Sequence, residues 1–194
     1  MGYLSCVLPA PTAPDWDRLF DFAVGQDGLF TTQQAAEAGY SPQLLLKYLK
    51  NGRVVRVRRG IYRIVHYPAG EHEDLTAIYL WCEQEGVFSH ETALFLHQLS
   101  DVLPRKVHLT LPSSWARRRL RTPRGVVLHH DDVSRREQIE VGAVPVTSVP
   151  RTLRDCVRAH VSPELVEAAV GQAERRKLVT KVQARHILAQ GSAA

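Results

Sequence analysis

The sequence predicts an α+β fold made of two domains. The chain has 194 residues, of which 44% are hydrophobic, enough to build a sizeable core. Helical spacing with capping residues dominates residues 16–50, whereas short β-branched segments occur within 54–64 and again within 107–147. The pattern breaks at residues 68–70, where the charge also changes sign, so we expect a domain boundary at 68/69.

Three short helices are expected in the N-terminal domain. Apolar residues recur at helical spacing after Asp15, which is a suitable N-cap. Thr31 is followed three residues later by Gln34, the pattern of a capping box. Ser41-Pro42 then provides an N-cap and a proline at the first helical position, and Asn51-Gly52 ends the third helix.

A basic hairpin (residues 53–64) is predicted after the third helix. Valine and arginine alternate, the chain turns at Arg59-Gly60, and it returns through β-branched and aromatic residues. Helix, short helix, helix and two-stranded ribbon is the element order of a winged helix-turn-helix. We therefore expect a winged helix-turn-helix DNA-binding domain at 15–68, after an extended arm at 1–14 and before a mixed α/β domain at 69–190.

Charge is segregated along the chain, although the net charge is only +5. Residues 38–70 contain no acid, residues 71–104 carry seven acids and no Lys or Arg, and residues 105–124 are basic only. Seven Lys or Arg and no acid occur within residues 44–64. Such blocks indicate surfaces with different partners, one of them anionic, and pairing between the blocks is the alternative.

The candidate DNA-binding residues lie on two elements and at one helix start. A polar face of the third helix can enter the major groove, and the hairpin arginines can reach phosphates or the minor groove. Polar residues at the start of the second helix offer donors to a phosphate. The alternatives are a solvated helix face and pairing with the acidic block. The set is Thr32, Gln33, Gln43, Lys47, Lys50, Arg53, Arg56, Arg58, Arg59 and Arg63.

A second basic block (residues 117–124) follows Trp115 between two predicted strands. It could extend a DNA footprint, contact RNA, meet an acidic face of a partner, or be an exposed loop without a ligand. The sequence does not choose among these. Its members are Arg117, Arg118, Arg119, Arg121 and Arg124.

No catalytic or metal-binding pattern was found in the sequence. Phosphate-loop, nucleophile-elbow and H-E-x-x-H patterns are missing, so we expect a protein that is not an enzyme. His129 and His130 are adjacent on a predicted strand and should face opposite sides, which argues against a joint metal site. We therefore expect no metal and no other cofactor.

The cysteines and hydropathy indicate a reduced, cytoplasmic protein. Cys6, Cys82 and Cys156 are odd in number and form no CxxC pair. The N-terminal segment has no basic region before its weakly apolar patch, so a signal peptide is not expected. No apolar run has the length of a membrane span.

Four segments of the sequence resemble the AbiEi family of bacterial antitoxins and transcriptional regulators. They are "GLFTTQQAAEAGYSPQLLLKYLKNGRVVRVRRGIYRI", "FSHETALFLHQL", "KVHLTLP" and "VPVTSVPRTLRDC", and the resemblance runs from about Leu19 to about Val170. Its most telling parts are the hairpin motif R-x-x-R-G-I-Y and the stretch from Thr147 to Asp155. One departure is Gln98, where the family pattern has glycine, so the turn after this helix is expected to differ.

The resemblance implies an antitoxin of a type IV toxin-antitoxin system, a class associated with phage resistance. The N-terminal domain of such a protein binds inverted repeats in its own promoter and represses it. The C-terminal domain counters a nucleotidyltransferase-like toxin, with direct contact left open. Two rival functions remain from the residues alone: a DNA-targeted nuclease-like enzyme and a protein-interaction module that does not bind DNA.

Overall fold

The structure is a computed structural model that describes residues 13–100 and 103–191. Helices and sheets are both present, which confirms the α+β composition. The chain divides into two compact units, one up to Trp81 and one from Cys82 onward. The predicted arm at 1–14 lies outside the described residues except for its last two positions.

The first unit combines four helices with a three-stranded antiparallel sheet of order β1-β3-β2. The sequence predicted the β2–β3 hairpin, whereas β1, which is only three residues long, was not expected. The elements are α1 (Trp16–Val24), β1 (Leu29–Thr31), α2 (Thr32–Glu37), α3 (Pro42–Lys50), β2 (Val54–Arg58), β3 (Ile61–Ile64) and α4 (Glu73–Trp81).

Side-chain caps start the first three helices at the residues that the sequence indicated. The Asp15 carboxylate accepts a hydrogen bond of 3.0 Å from the backbone N of Arg18. Thr31 and Gln34 form both hydrogen bonds of a capping box at the start of α2. Ser41 caps α3, with Pro42 at its first position. Each cap satisfies a backbone donor that the helix leaves unpaired, typically stabilising it by about 1 kcal/mol.

The hydrophobic core of the first unit joins α1, α2 and α3 to the sheet. Leu19, Ala23, Phe30 and Val54 are all at most 1% exposed. A smaller cluster packs α4 against the sheet, through contacts of Ala77 and Leu80 with β1 and β3. The helix that follows the expected 68/69 boundary therefore lies in the first unit.

The second unit is built on a five-stranded mixed sheet of order β6-β5-β4-β8-β7. β4–β8 and β5–β6 are parallel pairs, and β4–β5 and β7–β8 are antiparallel pairs. Its strands are β4 (Val87–Phe88), β5 (Val107–Leu111), β6 (Val126–His130), β7 (Gln138–Val141) and β8 (Val144–Thr147). Its helices are α5 (His90–Leu96), α6 (Val149–Arg158), α7 (Pro163–Arg175) and α8 (Lys181–Gly191), with 3-10 turns at Ser113–Trp115 and Arg135–Glu137.

Helices α5 to α8 share a core centred on Leu94, Leu153, Ala169 and Ala173, which are all fully buried. Ala169 and Ala173 are four residues apart on α7, and α8 contributes Ala184 and Ile187, so both helices pack by one apolar face. No helix among the described residues is both long and apolar enough to cross a bilayer.

Candidate nucleic-acid interface

The basic hairpin is formed by β2 and β3 and presents most of its arginines to solvent. Val54 and the first and last residues of β3 point into the core, which orients the ribbon. Gly60 makes the turn with φ +78°, a conformation that favours glycine. The pairing register shifts between Arg56 and Arg58, which indicates a bulge. Arg53, Arg56 and Arg59 are exposed, and Arg58 is partly buried.

The α3 helix packs by one face and leaves the other open. Leu45 is buried, and Tyr48 stacks on Trp16 with ring centroids 5.8 Å apart. The open face carries four exposed residues at helical spacing: Gln43, Leu46, Lys47 and Lys50. Three of the four were predicted from the sequence.

Leu46 is the residue of this face that sequence reasoning missed. Its side chain is 56% exposed, which is unusual for a leucine on a packed helix. It lies three residues after Gln43 and four before Lys50, so helical spacing alone could have identified it. Val55 and Val57 of β2 are also exposed, at 43% and 39%. The alternation of valine and arginine along this strand therefore does not correspond to a buried face and an exposed face.

Hydrogen bonds join the start of α2 to the turn of the hairpin. Thr32 donates from its backbone N and from its hydroxyl to the carbonyl of Gly60, at 2.9 and 3.3 Å. The neighbouring Gln33 is exposed and donates from its amide to Glu37 at 3.0 Å. Thr32 therefore lies beside the basic turn, and Gln33 follows it on α2.

Most of the candidate cations have no acidic partner in the part of the chain that the structure describes. Arg53 lies over the Tyr48 ring at 5.3 Å, and Arg56 donates weakly to the Arg58 carbonyl at 3.4 Å. Within residues 13–100 and 103–191, no ion pair involves these cations on α3 or the hairpin: Lys47, Lys50, Arg53, Arg56, Arg58 and Arg59. Their positive charge is therefore not neutralised by the described part of the protein.

Arg63 differs from the other hairpin arginines. Its Nε lies 3.0 Å from a carboxylate oxygen of Glu73, and its Nη2 donates to the Tyr67 carbonyl at 2.9 Å. Its side chain is only 21% exposed. This is the pairing with the acidic block that the sequence left open, and it accounts for Arg63 without DNA.

The second basic block is an exposed loop between the 3-10 turn at Ser113–Trp115 and β6. Arg118 stacks over the Trp115 ring at 3.8 Å and lies 3.6 Å from a carboxylate oxygen of Glu83. The other four arginines of the block are exposed, and none has an ion pair among the described residues: Arg117, Arg119, Arg121 and Arg124.

A histidine grouping in the second unit was not predicted. His129 comes close to His90 and His108, whereas His130, its neighbour on β6, is exposed. The sequence patterns for metal sites involve adjacent histidines or histidines on one helix, and nothing in the sequence indicates the strand register that brings these three together.

The segment that contains α3 and the basic hairpin matches a known protein family in sequence. Residues 17–65 match the family described as "Transcriptional regulator, AbiEi antitoxin", which confirms the resemblance for that segment. No curated protein sequence matches the chain. Among solved structures, the crystal structure of the RV2827C protein from Mycobacterium tuberculosis is 16% identical and covers 94% of this chain and 84% of that one, with a TM-score of 0.44.

Proposed function

We propose that residues 15–68 form a winged helix-turn-helix that binds double-stranded DNA at inverted repeats in the protein's own promoter and represses transcription. The observation that carries this proposal is the row of exposed cations on α3 and the basic hairpin that have no acidic partner among the described residues. Such charges repel one another, and the phosphates of a duplex relieve that repulsion.

In this proposal α3 is the recognition helix in the major groove. Gln43 offers an amide suited to the edge of adenine, and Lys47 and Lys50 offer donors to guanine. Leu46 lies between them and provides an apolar contact for a thymine methyl group, which explains why a leucine is 56% exposed there. Direct readout therefore comes from one helical face.

The basic hairpin acts as the wing. Arg53, Arg56, Arg58 and Arg59 neutralise phosphates or enter a narrow minor groove, and the amide of Gln33 contacts the backbone. The hydroxyl of Thr32 donates to the Gly60 carbonyl, so Thr32 supports the turn of the wing. Arg63 belongs to the predicted set, but its pairing with Glu73 makes it a support for the wing rather than a required contact.

We further propose that the protein is the cytoplasmic antitoxin of a type IV toxin-antitoxin pair. The family match at residues 17–65 supports this assignment. The α/β domain at 69–190 then counters a nucleotidyltransferase-like toxin, and the pair contributes to phage resistance. The second basic block gives this domain a cationic surface for nucleic acid or for an acidic protein face.

DNA binding is tested with the untagged full-length protein and a duplex from upstream of its own gene. A duplex of the same composition in shuffled order is the control. Fluorescence anisotropy over a range of salt concentrations should show tighter binding to the upstream duplex. The logarithm of its affinity should fall linearly with the logarithm of salt concentration. If the protein binds neither duplex even at low salt, DNA binding is wrong and the protein-interaction module is favoured. Mg²⁺-dependent cleavage of the duplex would instead favour the nuclease-like enzyme.

The antitoxin assignment is tested by co-expression. A nucleotidyltransferase gene next to this gene should arrest growth when expressed alone and be tolerated with the full chain. A chain with the Arg56→Ala and Arg59→Ala changes should still protect, because protection is assigned to the second domain. Loss of growth in all strains would contradict the assignment.

A further inference from the structure

Three histidines from three separate elements of the second unit converge, and we call them the histidine triad. His90 begins α5, His108 lies in β5 and His129 lies in β6. Each offers one ring nitrogen, and these atoms all lie within 4.8 Å of one another. His108 Nδ1 and His129 Nε2 are 3.0 Å apart, and the rings of His90 and His129 stack at 3.7 Å between centroids.

The backbone brings the triad together. β5 and β6 are parallel with His129 opposite Thr110, so the side chains of His108 and His129 lie on the same face of the sheet. Ser89, just before α5, donates from its backbone N to the His108 carbonyl at 3.1 Å. His90 adopts φ +52°, a conformation that costs a non-glycine residue free energy and is enriched at functional sites.

Neighbouring side chains orient two of the rings. Glu91 places a carboxylate oxygen 3.2 Å from His108 Nε2, and Ser89 places its hydroxyl 2.8 Å from His90 Nδ1. A proton on His108 Nε2, facing the carboxylate, leaves a lone pair on Nδ1 of that ring, which accepts from His129 Nε2 until an ion takes its place. Carboxylate-to-histidine hydrogen bonds of this kind orient metal-binding imidazoles in many proteins.

We propose that the histidine triad binds a divalent transition-metal ion of the zinc type. Three imidazoles are ligands for Zn²⁺, Co²⁺, Ni²⁺ or Cu²⁺ and are poor ligands for Mg²⁺ and Ca²⁺, which prefer oxygen. His108 and His129 are partly exposed, so solvent can supply a fourth ligand. No such site was expected from the sequence.

Binding requires a small rearrangement of side chains. Metal–nitrogen bonds of about 2.0–2.1 Å in a tetrahedral site place the three nitrogens about 3.3 Å apart. The His90 and His129 rings must also leave their stacked arrangement, whose interplanar angle is 15°, so that both lone pairs point to one ion. We expect rotation about the side-chain bonds of these histidines to be sufficient, because the pairing of β5 with β6 already holds the backbone of His108 and His129 in place.

The test measures metal binding by the untagged full-length protein after chelator treatment. Titration with Zn²⁺ against a chromophoric chelator should give one ion per chain, and Co²⁺ should give the intense visible bands of a four-coordinate site. His129→Gln and His108→Gln should each weaken Zn²⁺ binding by more than about a hundredfold, beyond the effect of losing a supporting partner. Glu91→Gln should weaken it by about tenfold.

His130→Gln is the matched control, because it removes the next imidazole on β6, which is exposed and outside the triad. The Zn²⁺ affinity of His130→Gln should stay within about twofold of that of the unchanged protein, because this change removes no ligand. Zn²⁺ should raise the melting temperature of the unchanged protein and of His130→Gln but not of His129→Gln, whose fold is checked by circular dichroism. Binding below one ion per chain, or equal losses in His129→Gln and His130→Gln, would overturn the proposal.

Discussion

Thr32 is hydrogen bonded to the turn of the basic hairpin at Gly60. The backbone N and the hydroxyl of Thr32 both donate to the Gly60 carbonyl, at 2.9 and 3.3 Å. The contact joins residues that are 28 positions apart in the sequence and fixes the hairpin tip beside the start of α2. A tip held in this way loses little conformational entropy on binding, so its arginines are well placed for a duplex.

Removal of two hairpin arginines should weaken DNA binding without changing its sequence preference. Arg56 and Arg59 are exposed and have no ion pair among the described residues, so we assign them to phosphates. The double variant Arg56→Ala, Arg59→Ala should bind the upstream and shuffled duplexes more weakly by the same factor. Its salt dependence should have a slope smaller by about two units. Anisotropy titrations at several salt concentrations measure both quantities.

The control for this variant removes the same charge elsewhere. Arg135 and Arg136 are exposed residues of the second unit, and their double alanine variant should keep the salt slope of the unchanged protein. If both double variants reduce the salt dependence of DNA affinity by the same amount, the effect comes from net charge alone and the hairpin is not the contact surface.

Changes on the open face of α3 should instead reduce discrimination. Lys47→Ala and Leu46→Ala each remove a side chain that we assign to base edges, so the upstream duplex should lose about 1–3 kcal/mol of binding free energy relative to the shuffled one. Lys106→Ala, at an exposed position outside the interface, is the control. Equal losses on both duplexes would assign Lys47 to phosphate and remove α3 as the reading element.

Local signals in the sequence identified the helices of the first unit. They gave no information on contacts between residues that are distant in sequence. The caps at Asp15, Thr31 and Ser41 depend only on residues three positions away, so each helix start was predicted correctly. β1 pairs with β3 over a long separation and has only three residues, too few for a periodic pattern. The packing of α4 on this sheet was hidden for the same reason.

The same distinction holds for the candidate sites. The polar face of α3 follows from helical spacing, and even Leu46 could have been found that way. The histidine triad depends on the register of β5 and β6 and on the position of α5. The sequence therefore does not indicate that His90, His108 and His129 lie close together. The pairing of Arg63 with Glu73 is a tertiary feature that the sequence does not indicate, and the DNA contact of Arg63 stays a prediction.

Gln98 occupies a backbone conformation that favours glycine, the residue of the family pattern at this position. Its φ is +55°, and its carbonyl accepts hydrogen bonds from Gln172 and Arg176 at 3.0 and 3.1 Å. Gln98→Gly should raise the free energy of unfolding by roughly 0.5–1 kcal/mol, since relief of left-handed strain exceeds the added entropy of glycine in the unfolded chain. Urea denaturation monitored by circular dichroism measures this difference.

Gln98→Ala separates backbone strain from the loss of the glutamine side chain. Alanine has the same steric conflict at φ +55°, so this variant should show no stabilisation. Equal stabilisation by alanine and glycine would mean that the side chain, and not the backbone, is responsible.

Arg151 is the buried centre of an ion-pair network that joins α6 to the connection between β6 and β7. Its Nε contacts both carboxylate oxygens of Asp155, at 2.8 and 3.0 Å, and its terminal nitrogens reach Asp131 and Glu137. The side chains of Arg151 and Asp155 are 8% and 5% exposed. These contacts give Arg151 and Asp155 a structural role in the second unit.

Loss of Arg151 should therefore destabilise the second unit strongly. Arg151→Ala leaves Asp155 buried without its cation, and removing one partner of a buried pair typically costs about 3–5 kcal/mol. Arg158→Ala, on the same helix but exposed, should change the free energy of unfolding by less than about 0.5 kcal/mol. Urea denaturation of both variants tests the contrast. A cost for Arg151→Ala as small as that for Arg158→Ala would show that water or another residue replaces the guanidinium. The network would then not be what joins α6 to the connection between β6 and β7.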